Sequence, residues 1–502
     1  MKRIAFPLLA VVTLAAVPVL GQFPAVVGQD QPSTVSAVVA LGPSGLARAG
    51  VARSADGALT TTRAATTRET EVCSDFWFTG AAITWSQSNR RQVWTQVAVS
   101  EDGRTFEAPD RLPSNPDDTP DRGSPEWDAR LQGTPLLWTG GSRCVRVSME
   151  IPRDTTVEDI QVMFINSSGT AAGPGTAPIA LDTSTGDTAL AATMDPTIHT
   201  RDEWGAVKPD CGPYYAPAVK MAFVHHTDGL NRYAKSASDD ILRGIQRYHM
   251  AGRNWCDIAY NFLIDRYGQL WEGRAGGVEE PVISGATQGV NTGSVSVALM
   301  GSYQRTSPTA AELTTLRRFL AWRLDVAHVN PAIKTDMTSA GGDNTWVDPG
   351  QTVRLHTISG HRDTGYTDCP GNRTYKKLPA IRRAVSNMGL PKIYYPEAWP
   401  AAPSTAPWTI VAKGSADLDW QVDIAPLGGS TVRTLTFSGD RLKVKWDGLD
   451  SVGAQAPPGR YVATVRGSTA DGNPRPATLM LRIKAEPSPS PSPSGVLTTL
   501  SP

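Results

Sequence analysis

The sequence predicts a multidomain protein in which a central α/β domain, with a mixed β-sheet flanked by helices, lies between two mainly-β, sandwich-like domains. Three observations predict this class. The chain has 502 residues, which exceeds the size of one compact core. Its outer segments carry the short alternating apolar runs that are typical of antiparallel strands. Its middle segment alternates strand and helix patterns and contains all seven histidines.

The net charge of the chain and its first 21 residues indicate which partners to expect and where the protein is located. The 48 Lys and Arg residues balance 48 Asp and Glu residues, so bulk charge does not indicate a nucleic-acid partner or an acidic membrane surface. Residues 1–21 have a basic start, an apolar run and small or β-branched residues before a cut, which is the pattern of a secretory signal peptide. The run is short and no stop-transfer charges follow, which argues against stable membrane insertion. We therefore expect a secreted protein.

The five cysteines of an exported chain should be paired unless a metal or a reaction claims one of them. Grouped by segment, Cys73 pairs with Cys144 and Cys211 pairs with Cys256. This leaves Cys369 unpaired, either as a free buried thiol or as a functional group.

The N-terminal part divides into three segments. Residues 22–70 are rich in Ala, Val, Thr, Gly and Ser without periodicity, so we expect a flexible lead-in. Residues 71–168 carry strand runs separated by turn-forming clusters and predict a β-sandwich-like accessory domain. Residues 169–195 are rich in Gly, Ala, Thr and Pro and predict a linker.

The central domain is predicted over residues 196–389. A short apolar strand ends at His225, and an amphipathic helix covers Ser238 to Met250. Two strands joined by a turn at Gly268 follow, and then a fully buried strand over residues 295–300.

The rest of this domain begins with a capping box, in which Thr309 precedes Glu312 at the start of a helix. Residues 330–352 form a long polar insertion. A strand then leads to His361, and a helix with one apolar face closes the domain; that face holds Leu378, Ile381 and Val385.

Three segments follow. Residues 390–407 read as a Pro-rich linker, residues 408–485 return to strand alternation and predict a small β-sandwich, and residues 486–502 form a Pro/Ser tail that has no packable core.

Three residues form a potential metal-binding set. His361 and Cys369 stand eight positions apart in a loop rich in turn residues, and the pair His225-His226 ends an earlier strand. Two imidazoles and a thiolate suit Zn²⁺ and leave a fourth position open, as in catalytic sites; a closed structural site usually draws on a CxxC pair, which the chain lacks. Adjacent strand residues point to opposite faces, so only one residue of the His pair faces the metal.

Five strings, in order over about residues 197–388, carry a resemblance: HTRDEWGA, FVHHT, CDIAYNFLIDRYGQLWEGRAGG, NTGSVSVALMGSY and SGHRDTGYTDCPG. They resemble the peptidoglycan recognition proteins and type 2 N-acetylmuramoyl-L-alanine amidases, here of the secreted actinobacterial multidomain type. The resemblance implies the zinc amidase fold, with Zn²⁺ held by His225, His361 and Cys369. It also implies catalytic roles for Tyr260 and Thr367.

The implied function is hydrolysis of the amide bond between N-acetylmuramic acid and L-alanine in peptidoglycan, outside the cell or at the cell wall. The alternative is a protein that binds peptidoglycan without cutting it. Members of the family that only bind typically lack the Cys ligand, which this chain keeps at Cys369. A purely structural surface protein would not explain why the histidines cluster. The oligomeric state is not indicated.

Several other residues can have either a functional or a structural role. Strand alternation places Tyr260 on the face of Ile258 and Phe262, so the pattern alone predicts a core aromatic. Thr287 stands where the family often has His, which affects contacts to the stem peptide. Four further residues are candidates for a glycan or peptide groove, although the sequence favours a structural role for each at least as strongly: His249, Trp255, Arg274 and Asn291. Two more are assigned to supporting the metal ligands or to packing: His226 and Arg362.

The flanking segments also carry resemblances. The N-terminal segment resembles the accessory β domain of secreted actinobacterial amidases. The string KWDGLDSVGAQAPPGRYVATV resembles the immunoglobulin-like module of flagellar hook-capping proteins, which implies a wall-binding or spacer domain.

Overall fold

The computed structural model describes residues 34–41, 46, 51–53, 58–89, 91–114, 119–127, 131–169, 196–402, 404 and 407–484. The predicted signal peptide, nearly all of the predicted linker at 169–195 and the predicted tail lie outside these residues. The chain divides into two compact units. Of the described residues, the first unit holds those up to Leu320 together with Pro331–Val385, and the second holds Ala321–Asn330 and those from Ser386 onward. In the described part of the chain, no helix has the length and apolarity needed to cross a bilayer.

The N-terminal β domain consists of strands hydrogen-bonded into one sheet. Its strands are β1 (Val35–Ala40), β2 (Val51–Arg53), β3 (Leu59–Thr61), β4 (Ala65–Thr66), β5 (Thr70–Gln87), β6 (Trp94–Ser100), β7 (Asp110–Pro113), β8 (Leu131–Gly133), β9 (Leu137–Ile151) and β10 (Thr156–Asn166). All pairings are antiparallel, in the order β2-β3-β10-β5-β9-β6-β7, with β1 on β10, β4 on β9 and β8 on β5.

This domain starts earlier than the sequence indicates. The expectation of a flexible lead-in over residues 22–70 is wrong for its described part, because β1 pairs with β10 over all six of its residues and β4 pairs with β9. The local pattern of β1 is weak, and its order comes from long-range pairing rather than from its own sequence. The predicted disulfides Cys73–Cys144 and Cys211–Cys256 are both present, and Cys369 is buried and takes part in neither of them.

The central domain has the mixed sheet that the sequence predicts. Its strands are β11 (Ile198–His199), β12 (Met221–His226), β13 (Phe262–Ile264), β14 (Leu270–Glu272), β15 (Ser294–Leu299), β16 (Lys334–Thr338), β17 (Thr352–His356) and β18 (Ile358–Gly360). Six of them form the sheet β11-β14-β13-β15-β12-β18, in which β12 runs parallel to both β15 and β18. The hairpin β13-β14 turns at Gly268, whose φ of 81° suits glycine.

The helices are α1 (Ser238–Arg247), α2 (Ala310–Val326), α3 (Asn372–Tyr375) and α4 (Leu378–Ser386). A π-helical turn over Tyr248–Gly252 extends α1, so the predicted helix is confirmed with an altered last turn. The predicted capping box of α2 is confirmed: the Thr309 amide donates to Glu312 Oε2 at 2.7 Å, and the Glu312 amide donates to Thr309 Oγ1 at 3.1 Å.

Two predicted irregular segments contain strands. The polar insertion 330–352 holds β16, which pairs with β17. The proposed linker 390–407 holds β19 (Ile393–Trp399), which belongs to the second unit. Polar and Pro-rich composition hides both strands, because their stabilisation comes from partners distant in sequence.

The second unit contains one further sheet. Its remaining strands are β20 (Trp408–Pro426), β21 (Arg433–Trp446), β22 (Gly459–Ser468) and β23 (Ala477–Ile483). They pair antiparallel in the order β19-β20-β22-β23, with β21 on β20. Buried tryptophans at Trp408, Trp420 and Trp446 anchor the core of this sheet.

Candidate metal centre

The parallel pair β12-β18 places the first two candidate ligands side by side. Val224 of β12 lies opposite Gly360, the last residue of β18, and the next residue along the chain in each case is a histidine, His225 in β12 and His361 just after β18. Because parallel strands end at the same sheet edge, both imidazoles meet there. Cys369 returns to this edge from the loop that follows His361.

The three side chains form a compact donor set. One donor atom from each of His225, His361 and Cys369 lies within 4.8 Å of the others, and the side chains are buried. The imidazole centroids are 4.9 Å apart, and Cys369 Sγ lies 3.6 Å from His225 Nδ1. Two atoms bound tetrahedrally to one zinc ion at the usual bond lengths lie about 3.6 Å apart, so this sulfur and nitrogen fit the ion.

His225 is held in the state that a metal ligand needs. Its Nε2 lies 3.0 Å from Thr287 Oγ1 and its Nδ1 lies 3.6 Å from Cys369 Sγ, so the tautomer with its hydrogen on Nε2 can donate to the threonine hydroxyl while Nδ1 faces the sulfur. Burial holds the pKa of His225 well below 6.5, and repulsion from the positive charges of protonated His361 and His226 lowers the pKa further. The imidazole is therefore neutral at neutral pH, as a metal ligand requires.

The second histidine of the pair points elsewhere, as strand alternation predicts. His226 Nδ1 accepts a hydrogen bond from the Tyr303 amide at 3.3 Å and lies 3.6 Å from Asp228 Oδ1. His226 is therefore part of the packing behind the site.

Contacts within the ligand loop fix the position of Cys369. The amide and Nε of Arg362 donate to the Cys369 carbonyl at 3.1 and 3.2 Å, which gives Arg362 the supporting role expected of it. The Cys369 amide donates to Thr367 Oγ1 at 2.8 Å. A Cβ added at Gly365 would lie 2.8 Å from two ring atoms of His361, so only glycine leaves room for that imidazole.

Tyr260 lies beside this centre and is 1 % exposed. Its ring centroid is 5.7 Å from that of His225 and 6.1 Å from that of His249, and its hydroxyl donates to the His226 carbonyl at 3.3 Å. The structure therefore brings Tyr260 to the same place as the three candidate ligands, and Thr367 lies on the loop two residues before Cys369. Tyr260 is also a core residue, so both descriptions from the sequence apply to it.

Thr287 has a contact that the sequence does not indicate. It lies in a turn organised by Asn291, whose Oδ1 accepts hydrogen bonds from Ser284 Oγ and from the amides of Ala286 and Thr287 at 2.9, 2.9 and 2.7 Å. This turn aims the Thr287 hydroxyl at His225. The sequence predicts that Thr287 affects contacts to the stem peptide. The structure adds a direct contact between Thr287 and the candidate metal ligand His225.

The groove candidates take part in buried contacts. Arg274 forms a bidentate ion pair with Glu126 of the N-terminal β domain, with distances of 2.9 and 2.7 Å. His249 Nδ1 accepts the Ala259 amide hydrogen at 3.1 Å, and its ring lies 4.8 Å from that of Trp255. Sequence reasoning missed Glu126, since a polar turn cluster gives no signal of a partner 148 residues away.

Comparison with known proteins gives a consistent result for the central domain. The family model described as N-acetylmuramoyl-L-alanine amidase matches residues 215–372. Peptidoglycan-recognition protein SC2 of Drosophila melanogaster is 29 % identical over 187 residues, which is 37 % of this chain and 87 % of that protein. Peptidoglycan recognition protein 1 of Bos taurus is 29 % identical over 190 residues, 37 % of this chain and 86 % of its own length. The solved structure of wild-type Drosophila PGRP-LB aligns with 23 % identity over 37 % of this chain and 93 % of that chain, with a TM-score of 0.30.

Proposed function

Because its central domain belongs to the family of peptidoglycan recognition proteins and type 2 N-acetylmuramoyl-L-alanine amidases, we propose that this chain is a secreted, zinc-dependent amidase. Its substrate is peptidoglycan, and the bond cleaved joins N-acetylmuramic acid to L-alanine. The observation that carries the proposal is the donor set of His225, His361 and Cys369 within 4.8 Å.

The number and type of donors favour a catalytic zinc site. Catalytic zinc keeps three protein ligands and an open position, whereas structural zinc is closed by a fourth protein ligand. Among the described residues, the cluster holds two imidazoles and one thiolate. A bound zinc ion would supply Lewis acidity towards the scissile carbonyl and would bring the pKa of water near neutrality.

The side chains around the donor set take the remaining roles. The phenol of Tyr260 orients the attacking water next to His225. The hydroxyl of Thr367, fixed on the ligand loop by the Cys369 amide, donates to the oxyanion that forms on the carbonyl. Thr287 keeps the hydrogen of His225 on Nε2, which leaves Nδ1 as the donor atom.

The second candidate function is recognition of peptidoglycan without hydrolysis. The relatives named above are called recognition proteins, and recognition requires shape and hydrogen bonds but no thiolate. The buried Cys369 Sγ, 3.6 Å from His225 Nδ1, favours hydrolysis.

The test is release of stem peptides from purified muropeptides, measured by mass spectrometry together with the zinc content of each protein. Zinc-loaded protein should release the peptides, a chelator should stop release and added zinc should restore it. Cys369→Ser should lose both zinc and release. Tyr260→Phe should retain zinc and lose about 100-fold or more in rate, because phenylalanine cannot hydrogen-bond the attacking water and assist the loss of its proton. Release that persists in the metal-free protein would refute the zinc-dependent mechanism.

A further inference from the structure

The N-terminal β domain occupies the space next to Tyr260. Pro135, Leu136 and Trp138, at the start of β9, pack against α1 and face Tyr260 and Met300. The cavity left between these surfaces measures about 20 Å³. A cavity needs about 10–15 Å³ of volume of this kind to hold a water molecule, so this one has room for about one water.

Hydrogen bonds fasten this contact along α1 and its π-helical turn. Tyr248 donates its hydroxyl hydrogen to the Thr134 carbonyl at 2.7 Å. Arg243 donates from Nε to the Ser167 carbonyl at 2.9 Å, and Arg247 donates to Ser36 Oγ at the same distance. These hydrogen bonds hold Pro135, Leu136 and Trp138 in one position against α1.

A second contact joins the N-terminal β domain to the support of the metal centre. Besides pairing with Arg274, Glu126 accepts the Cys256 amide hydrogen at 2.9 Å. Asp121 accepts hydrogen bonds from the Gly289 amide at 2.7 Å and from Asn291 Nδ2 at 2.9 Å. Hydrogen bonds from the N-terminal β domain therefore hold the turn that orients Thr287 in place.

The covered site is closed to substrate in this arrangement. His225 and Cys369 are 0 % exposed, and His361 and Tyr260 are each 1 % exposed. Pockets that hold a small organic ligand measure about 300 Å³ or more. A muramoyl-alanine unit attached to a polymer does not fit the cavity beside Tyr260.

We propose that the N-terminal β domain is a built-in cover of the peptidoglycan-binding groove, in which Leu136 and Trp138 cover Tyr260. Hydrolysis then requires this domain to leave α1. The proposal rests on the proposed function for the identity of the groove. The polar part of the contact suits a reversible cover, because a buried ion pair such as Glu126–Arg274 regains hydration when the surfaces separate.

A reversible crosslink between the two surfaces tests the proposal in the full-length chain. A Cβ added at Gly244 of α1 would lie 3.4 Å from Ser167 Oγ and 3.1 Å from Leu136 Cδ2, so a cysteine there faces Ser167 after a small shift of the flexible Leu136 side chain. The double variant Gly244→Cys with Ser167→Cys should therefore form a bridge on oxidation. The controls are both single variants and the unchanged protein under the same oxidant and reductant, with mass spectrometry to follow the two native disulfides.

The crosslinked protein should keep its zinc and release no stem peptide, and reduction should restore the rate of the single variants. Trp138→Ala, which removes the largest covering side chain, should raise the rate about tenfold, since the apparent rate scales with the open fraction. A crosslinked protein that cleaves muropeptides at the control rate would overturn the proposal.

Binding of a fluorescent muramyl tripeptide separates this proposal from the proposed function. The reduced double variant should bind the probe and the crosslinked one should not, whether or not any form hydrolyses it. Absence of hydrolysis with this difference in binding would refute the amidase and retain the cover. Equal binding by the two forms, or binding by neither, refutes the cover.

Discussion

Thr287 Oγ1 lies 3.0 Å from Nε2 of His225, which links a buried turn of the central domain to a candidate metal ligand. The same turn is held by Asn291, and Asn291 is held in turn by Asp121 of the N-terminal β domain. The orientation of one imidazole thus depends on residues from two domains.

Thr287→Val should weaken zinc binding about 10- to 100-fold, because the valine has the same shape but leaves the His225 Nε2 hydrogen without an acceptor. Zinc affinity is measured by competition with a chromophoric chelator. Thr287→Ser keeps the hydroxyl and should bind zinc nearly as well as the unchanged protein. Similar affinities for the Val and Ser variants would show that the hydroxyl does not support the ligand.

Gly365→Ala should also impair zinc binding, for a steric reason. The new Cβ would lie 2.8 Å from His361 Cδ2 and Nε2, so the imidazole must move away from His225 and Cys369. Gly229→Ala is a matched control, because its new Cβ would meet its nearest atom, the Leu136 carbonyl oxygen, at an ordinary 3.4 Å. Competition titration should separate the two variants, and an unchanged affinity in Gly365→Ala would contradict this packing.

Glu126→Gln should destabilise the first unit by about 3 kcal/mol, since it leaves the Arg274 guanidinium buried without its charge partner. The Glu126 and Arg274 side chains are only 4 % and 6 % exposed. Glu71→Gln breaks the exposed pair with Arg146 and should cost less than about 1 kcal/mol. Urea unfolding of the full-length chain, followed for the transition of this unit, gives both values. Equal costs for the two variants would mean that burial does not strengthen the Glu126 pair.

The stability of the zinc-free protein should fall as pH rises from 4.5 to about 7, through Glu312. Burial raises the pKa of this carboxyl from 4.5 to about 7, against the hydrogen bonds from Tyr303 and Thr309 that favour its ionised form. Across this range the unfolded chain has released the proton that the folded chain keeps, so folding becomes less favourable by about 3 kcal/mol. The free energy of unfolding of Glu312→Gln should lack this part of the slope. If the variant keeps the full slope, another group is responsible.

The sequence predicts much of the central domain, because the deciding signals are local. The capping box at Thr309, the turn at Gly268 and the apolar faces of α1 and α4 each act within a few residues. The three candidate ligands emerge because their residue types are rare and appear at strand ends. The structure brings these three donor atoms together.

The remaining features depend on partners far away in the chain. The order of β1 comes from β10, about 120 residues later, and the pattern of β1 alone does not specify it. Glu126 has no local signature of its pairing with Arg274. Thr287 likewise carries no sign that its hydroxyl meets an imidazole 62 residues earlier. Propensity and periodicity report on neighbours in sequence, so such contacts escape them.

The parallel pairing of β12 with β18 also sets when the three candidate ligands can come together. His225 and Cys369 are 144 residues apart, and β18, which aligns His225 with His361, is the last strand of its sheet. During synthesis, an emerging chain that ends before residue 369 lacks the thiolate, and a partly folded one lacks the β12-β18 register. If zinc binds at the proposed site, it would therefore be loaded only after the whole domain is translated. If the chain is also exported unfolded, as its proposed signal peptide implies, the supply of zinc outside the cell rather than in the cytosol would decide how much zinc-loaded protein forms.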